Sequence, residues 1–300
     1  MIYTVTLNPS IDYTVELDKL TAGSLNRCRE EYITFGGKGL NVSAILSELG
    51  IPTKALGFCA GFTGQAIVEQ LNAAGIESDL VELSSGNSRI NVKIKAEEET
   101  EINAKGPEIS HEELEQFFEK LSQVTDGDTL VLAGSIPESV SDDIYEQILS
   151  RLSDKSIRTV VDAQGKLLAN VLRFEPFLIK PNIFELETLF GESISSDEQV
   201  TELARSLRSA GARNVLVSMG QNGSLLVDSN YVVHRLGVCS GNVVSSVGAG
   251  DSMVAGFLAG CEKTDDYEFS LRLATACGGA TAFSKGTAKK ELIFDLFRQL

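Results

Sequence analysis

The stretch SSVGAGDSMVAGF (residues 245–257) joins a glycine-containing loop to the first turns of a helix. Free N–H groups and the helix dipole make such a helix start favourable for binding an anion. Asp251 nevertheless places a carboxylate in the first turn, where it would repel a phosphate that is only held. If the phosphoryl group is transferred instead, the amides of Gly248, Ala249 and Gly250 stabilise its charge, and Asp251 accepts the proton of an attacking hydroxyl. The alternative, an aspartate that only favours its helix dipole, stays open at this point.

Around this stretch, strand-like runs alternate with helix-like runs along most of the chain. Helical spacing of apolar residues is clear in NVSAILSELG (41–50), which ends on a glycine, and in SHEELEQFFEKL (110–121), which opens with a capping box. This alternation predicts an α/β fold with a doubly wound, mainly parallel sheet flanked by helices. Predicted strands lie at residues 2–8, 53–59, 129–134, 158–163, 177–182 and 214–220.

Polar residues collect at the carboxyl ends of these strands, where ligands bind in such sheets. They are Asn8, Gly134, Ser135, Asp162, Lys180, Asn182, Ser218 and Gly220.

Two segments break the alternation, residues 11–35 and 90–104. Both are strand-like without an intervening helix, and they predict a small antiparallel β-sheet inserted into the α/β body. A β-sheet beside the ligand edge is a candidate lid, which a water-sensitive reaction needs. The body then comprises residues 1–10, 36–89 and 105–300.

Composition excludes several classes of protein. The chain has 300 residues, 43% of them hydrophobic and 23% charged, as in ordinary globular proteins. A net charge of −16 argues against a nucleic-acid or anionic-membrane partner, although a few local cations could still hold a small anionic substrate. The N-terminus lacks the pattern of a signal peptide, and no apolar run approaches the roughly 20 residues of a membrane span. Five scattered cysteines are typical of a reducing compartment, so we expect a cytoplasmic protein.

The segment GGKGLN (36–41) is not a P-loop, because Lys38 is followed by glycine where that motif requires Ser or Thr. Its glycines would let a ligand approach the backbone closely, and Asn41 offers both a donor and an acceptor. A plain strand-to-helix turn is the alternative.

The segment KPNIFELE (180–187) places Asn182 and Glu185 three residues apart at a predicted helix start. There they could hold a hydrated Mg²⁺ near nucleotide phosphates. Taken alone, the segment favours a capping box made of the same two residues. Further on, VSMGQNGSLLV (217–227) predicts a β-hairpin, which could also wall an adenine or ribose pocket.

The segments GGKGLN, KPNIFE, VSMGQNG and VGAGDSMVAGF, in this order, resemble the ribokinase-like family of carbohydrate kinases, the phosphofructokinase-B group. The resemblance runs essentially from end to end. It implies ATP and Mg²⁺ as cosubstrates and a sugar or sugar phosphate as acceptor. It also implies that Asp251 is the general base and that Gly248, Ala249 and Gly250 form the anion hole.

The resemblance assigns further residues to each substrate. On the nucleotide side it implies roles for Lys180, Asn182, Ser218, Gly220, Gly223, Ala249 and Gly250. Asn182 and Glu185 would act on Mg²⁺ indirectly. On the acceptor side it implies Asp12, Gly37, Lys38, Asn41, Arg89, Ser135 and Asp251.

Three stretches narrow the acceptor, namely TLNPSIDYTVEL, RCREEYITFGGKGLNVS and EETEINAKGPEIS. They resemble family members that convert fructose 1-phosphate to fructose 1,6-bisphosphate, with tagatose-6-phosphate kinases as the alternative. A phosphorylated acceptor needs a cation, for which Arg89, Lys38 and Arg27 are candidates, although Arg27 could equally be a surface charge. A non-catalytic sugar-phosphate sensor would be expected to lack Asp251, the glycine loop or Asn182, and all are present.

The family resemblance suggests two further properties that no residue of this sequence establishes by itself. In such kinases the lid often pairs with that of a second subunit, which suggests a homodimer. A monovalent cation such as K⁺ also occurs beside the anion hole in the family.

Overall fold

A computed structural model describes the whole chain, Met1–Leu300. Its thirteen strands are β1 (Ile2–Thr6), β2 (Ser10–Glu16), β3 (Glu30–Gly36), β4 (Thr53–Ala60), β5 (Glu77–Leu83), β6 (Arg89–Lys95), β7 (Thr100–Ile102), β8 (Thr129–Ala133), β9 (Arg158–Asp162), β10 (Leu178–Ile179), β11 (Val215–Ser218), β12 (Ser224–Val227) and β13 (Val233–Leu236).

Its ten α-helices are α1 (Lys38–Glu48), α2 (Gly61–Ala73), α3 (His111–Leu121), α4 (Ile144–Arg151), α5 (Gly165–Val171), α6 (Ile183–Phe190), α7 (Asp197–Ser209), α8 (Ala249–Lys263), α9 (Tyr267–Ala282) and α10 (Lys290–Phe297). Short 3₁₀ turns cover Leu172–Phe174 and Gly220–Asn222. No helix is both long enough and apolar enough to cross a membrane.

Nine strands form the central sheet, in the order β13-β12-β11-β10-β9-β8-β1-β4-β5. All neighbours from β11 to β5 are parallel, and only the pairs β11–β12 and β12–β13, at one edge, are antiparallel. The predicted doubly wound, mainly parallel sheet is therefore confirmed. The chain order reverses at β1, which lies between β4 and β8, and ligands bind at such a reversal.

Both faces of this sheet are buried because its side chains alternate between two helical layers. In β8, Leu130 and Leu132 point into the core that includes α3 to α7, whereas Val131 and Ala133 point into the core that includes α1, α8, α9 and α10. This double burial explains why the strands read as continuous apolar runs. Because both faces of the sheet are largely apolar, its polar side chains collect at the carboxyl edge.

The strand prediction fails at β10 and at the two edge strands of the central sheet, β5 and β13. The strand predicted at 177–182 contains only Leu178–Ile179 as β10, because Pro181 has no N–H to donate to a ladder. The edge strand β5 was not predicted, since its ESDLVEL sequence carries three acidic residues among its apolar ones.

Four strands form a second, smaller sheet in the order β3-β2-β6-β7. The pairs β2–β3 and β6–β7 are antiparallel, as predicted, but the central pair β2–β6 is parallel. The expectation of a wholly antiparallel sheet is therefore wrong. Because β2 follows β1 and β6 follows β5, and both preceding strands end at the same edge of the central sheet, the two strands leave the body in the same direction.

The two faces of the small sheet differ in chemistry. Cross-strand partners Tyr13, Ile33, Val92 and Ile102 lie on its outer face, which is largely apolar. Residues that alternate with these along the strands, such as Asp12, lie on the inner face. This face borders a cavity at the carboxyl edge of the central sheet.

Candidate active site

A cavity of about 1010 Å³ lies between the carboxyl edge of the central sheet and the inner face of the small sheet. Every site residue predicted from the sequence, except the candidate Arg27, lines it. These residues are Asp12, Gly37, Lys38, Asn41, Arg89, Ser135, Lys180, Asn182, Glu185, Ser218, Gly220, Gly223, Gly248, Ala249, Gly250 and Asp251. Arg27, in contrast, is exposed in the loop between β2 and β3 and does not line the cavity.

The glycine loop ends in the first turn of α8. Gly248 adopts a left-handed conformation, with φ of 77°, and no side chain caps the helix. No side-chain acceptor therefore occupies the first-turn amides, and the Ala249 amide makes a long backbone hydrogen bond of 3.3 Å to the Ser246 carbonyl oxygen. A Cβ atom on Gly250 would lie 3.0 Å from Lys180 Nζ, so glycine here lets the ammonium group approach the helix start.

Asp251 lies in this first turn and is 6% exposed. Its Oδ2 accepts a hydrogen bond of 2.8 Å from Asn41 Nδ2. Burial, followed by the nearby carboxylate of Asp162, raises the pKa of Asp251 to about 6, against the opposing effects of Asn41, Lys38 and Lys180. A carboxylate with such a pKa is ionised at neutral pH yet basic enough to accept a proton.

A second buried carboxylate, Asp162, ends β9 and organises the cations of the cavity. Lys38 Nζ lies 3.1 Å and Lys180 Nζ lies 3.6 Å from its Oδ1. Burial would raise the pKa of Asp162, but the two ammonium groups outweigh it and the pKa is lowered. The other oxygen, Oδ2, is buried without a hydrogen-bond partner. The sequence marked Asp162 as a polar strand end but did not predict this cluster.

Asn182 and Glu185 form a capping box at the start of α6. Asn182 Oδ1 accepts from the Glu185 amide at 2.8 Å, and Glu185 Oε2 accepts from the Asn182 amide at 2.9 Å. The remaining oxygen, Glu185 Oε1, accepts from Gln164 Nε2 at 2.8 Å. The capping interpretation thus describes these side chains, and both also line the cavity.

The predicted hairpin is confirmed by the antiparallel pairing of β11 with β12. Gly223 has a φ of 89°, and a Cβ atom there would lie 2.0 Å from the Leu236 carbonyl oxygen. Only glycine can therefore occupy this turn. The turn places Ser218, Gly220 and Gly223 along one wall of the cavity.

The small sheet supplies the opposite wall, around Asp12 and Arg89. Arg89 Nε donates to the Asn8 carbonyl oxygen at 3.1 Å, and burial lowers the pKa of its guanidinium group. Asp12 accepts a hydrogen bond from Asn91 and forms an ion pair with Lys93, two residues that the sequence analysis did not identify. The sequence contains a pattern that could have identified them. Arg89, Asn91 and Lys93 alternate along β6 and must therefore share one face of the sheet.

Known proteins resemble this chain along nearly its whole length. Residues 5–292 match the pfkB family carbohydrate kinases. The chain is 44% identical over its whole length to a 1-phosphofructokinase of Bacillus subtilis, covering 98% of that protein. It is 37% identical to a D-tagatose-1-phosphate kinase of Bacillus licheniformis, over 95% of this chain and 94% of the other.

Among solved structures, a putative phosphofructokinase from Staphylococcus aureus is 40% identical and superposes with a TM-score of 0.86. The match covers 100% of this chain and 97% of the other. The resemblance inferred from the four motifs is confirmed, and the chain belongs to the pfkB family of carbohydrate kinases.

Proposed function

We propose that this kinase transfers the γ-phosphoryl group of ATP to O6 of fructose 1-phosphate, giving fructose 1,6-bisphosphate and ADP. The observation that supports this acceptor most directly is the environment of Arg89. Among the cationic side chains of the cavity, Lys38 and Lys180 pair with Asp162, and Lys93 pairs with Asp12. Arg89 forms no ion pair and is left to bind the phosphate already present on the acceptor. The similarity to the Bacillus subtilis 1-phosphofructokinase over the full chain supports the same acceptor.

In this proposal Asp251 is the general base. Asn41 occupies Oδ2, which leaves Oδ1 to accept the proton of the O6 hydroxyl. As that proton leaves, a bond forms between O6 and the γ-phosphorus, and the bond from the γ-phosphorus to the bridging oxygen of ADP breaks. Holding Asp251 by a side chain from α1 fixes the base relative to the acceptor.

The transferring phosphoryl group would lie at the start of α8. There the amides of Ala249 and Gly250 and the ammonium group of Lys180 stabilise its equatorial oxygens. The unpartnered Oδ2 of Asp162, together with Glu185 and Asn182, fits a hydrated Mg²⁺ held mainly by phosphate oxygens and water. When bound, Mg²⁺ would neutralise charge on the β- and γ-phosphates.

ATP would lie along the wall formed by Ser218, Gly220 and Gly223, with the acceptor under the small sheet. We assign residues 11–35 and 90–104 to a lid that excludes water from the reacting groups. A K⁺ ion beside the glycine loop is proposed on the family resemblance alone. The five free cysteines are consistent with the cytoplasmic location expected from the sequence.

The outer face of the lid fits a second copy of this chain. It exposes Ile33 at 56%, Ile90 at 40% and Ile102 at 58% of their surfaces. Apolar side chains clustered in this way on one sheet face are typical of a protein–protein interface. We therefore include a homodimer, formed lid against lid, in the proposal.

A second candidate acceptor is D-tagatose 1-phosphate, which the Bacillus licheniformis relative bears in its name. Tagatose and fructose differ only in the configuration at C4, so both 1-phosphates present the same phosphate and the same free C6 hydroxyl. The tagatose 6-phosphate expected as an alternative from the sequence would reverse the ends of the acceptor in the cavity.

The test is to identify the product. The purified protein is incubated with Mg-ATP and fructose 1-phosphate, and the mixture is followed by ³¹P NMR. We expect a second sugar phosphomonoester signal, on C6, to appear in step with ADP. Binding of both compounds without any ADP would instead indicate the non-catalytic sensor.

A further inference from the structure

A buried lysine on the inner face of the lid has no role in the reaction described above. Lys93, on β6, is 8% exposed, and its Nζ lies 3.0 Å from Oδ2 of Asp12. Its only other carboxylate neighbour is Glu101 on β7, at 4.0 Å. Burying a lysine and an aspartate together removes both from water, and the pair is tolerated only when it is well hydrogen-bonded.

Asp12 is held by three donors, all from strands β2 and β6 of the small sheet. Ser10 Oγ donates to Oδ1 at 2.8 Å, and Asn91 Nδ2 donates to the same oxygen at 2.9 Å. Lys93 occupies Oδ2. A carboxylate has about four lone-pair directions, so about one is left for a ligand. The side chain can thus receive one acceptor hydroxyl, in one orientation.

The charge of Lys93 also matters for an anionic acceptor. Without it, Asp12 would stand as an uncompensated negative charge in the wall that also carries Arg89. It would repel the phosphate that Arg89 attracts. Lys93 therefore allows an aspartate to hold a sugar hydroxyl close to a bound phosphate.

We propose that Lys93 is a positioning residue for the acceptor, which orients Asp12 toward a single sugar hydroxyl and compensates its charge. This rests on the proposed function, in which the acceptor lies under the lid. Lys93 itself touches Asp12, not the reacting atoms.

The test compares Lys93→Met with a matched control, Lys54→Met. Lys54 also pairs with a carboxylate across neighbouring strands, at 2.8 Å from Glu77, but lies outside the cavity. We expect Lys93→Met to lower kcat/KM for the acceptor about 10- to 100-fold, mainly through KM, since a buried hydrogen-bonded charge loses its partner. The KM for ATP should stay within about twofold. Lys54→Met should change neither.

A double-mutant cycle with Asp12→Asn separates positioning from structure. If Lys93 acts through Asp12, Lys93→Met should cost far less in the Asp12→Asn background than in the wild type. Equal costs in both backgrounds, or equal losses for acceptor and ATP, would overturn the proposal. Lys93→Gln, which keeps a polar donor without the charge, is the second variant should Lys93→Met fail to fold.

All measurements use whichever sugar phosphate the wild type phosphorylates best. A different preferred acceptor would overturn the proposed function, whereas the Lys93 test would still give a decision.

Discussion

The side-chain amide of Asn41 donates to the carboxylate of Asp251 over 2.8 Å, although 210 residues separate them in the chain. Asn41 lies in α1, which follows strand β3 of the small sheet, and Asp251 lies in the first turn of α8. The contact therefore joins a residue that we propose for acceptor binding to the loop that we propose for the phosphoryl group. In the proposed reaction it leaves Oδ1 of Asp251 to receive the proton.

Replacing this carboxylate by an amide should abolish most of the turnover. We expect Asp251→Asn to lower kcat by about 10² to 10⁴, because proton transfer in the transition state is lost. Binding of ATP and acceptor, measured by calorimetry, should change little. A variant that kept wild-type turnover would show that another group accepts the proton.

The stability of the same variant provides its control. Burial raises the pKa of Asp251 from 3.8 to about 6, so the folded state holds this proton more tightly than the unfolded chain does. The wild type therefore loses stability as the pH rises through this interval. Asp251→Asn carries no such cost, and at pH 8 its free energy of unfolding should equal or exceed that of the wild type. Lost activity could then not be attributed to misfolding.

The pH dependence of kcat/KM for the acceptor should report the same base. We expect the rate to rise with pH through about 6 and then to level off, since only ionised Asp251 accepts the proton. Because the carboxylate of Asp162 raises the pKa of Asp251, Asp162→Asn should move this limb to lower pH. Asp79→Asn, which removes a carboxylate paired with Lys120 outside the cavity, should leave the limb in place. An unmoved limb in Asp162→Asn would contradict the coupling.

Removing the guanidinium group of Arg89, which forms no ion pair, should impair the phosphorylation of acceptors that already carry a phosphate. Arg89→Met is expected to lower kcat/KM for fructose 1-phosphate about 10- to 150-fold, which corresponds to the loss of charge-assisted hydrogen bonds. The KM for ATP should stay nearly constant. Arg27→Met serves as the control, because Arg27 is exposed and lies away from the cavity. A larger effect of Arg27→Met would transfer the phosphate-binding role to it.

The proposed homodimer should dissociate when one charged side chain is placed on the outer face of the small sheet. Sedimentation velocity should show a dimer for the wild type and a monomer for Ile33→Glu, since a buried unpaired carboxylate is costly at an apolar interface. Val232→Glu is the matched control, because Val232 is 50% exposed in the turn between β12 and β13. A dimer that persists in Ile33→Glu would place the interface elsewhere.

The sequence predicts the parts of this molecule that local patterns determine. Apolar runs indicated the parallel strands, and the motif around Asp251 indicated a helix start that lines the cavity. Contacts between distant segments were not predictable. The cluster of Lys38 and Lys180 on Asp162 depends on which strands become neighbours, and so does the parallel pairing of β2 with β6. Side-chain alternation shows which residues share a face, but it does not identify the strand that lies opposite.

The most direct test of the proposed function is the acceptor preference, measured as kcat/KM for ADP release with Mg-ATP. The acceptors are fructose 1-phosphate, tagatose 1-phosphate, tagatose 6-phosphate, fructose 6-phosphate and unphosphorylated fructose. We predict the highest value for fructose 1-phosphate. Its advantage over the last three should be about 100-fold, or roughly 2.7 kcal/mol of transition-state discrimination, and smaller over tagatose 1-phosphate. A higher value for tagatose 1-phosphate or for either 6-phosphate would contradict the assignment of fructose 1-phosphate as the acceptor.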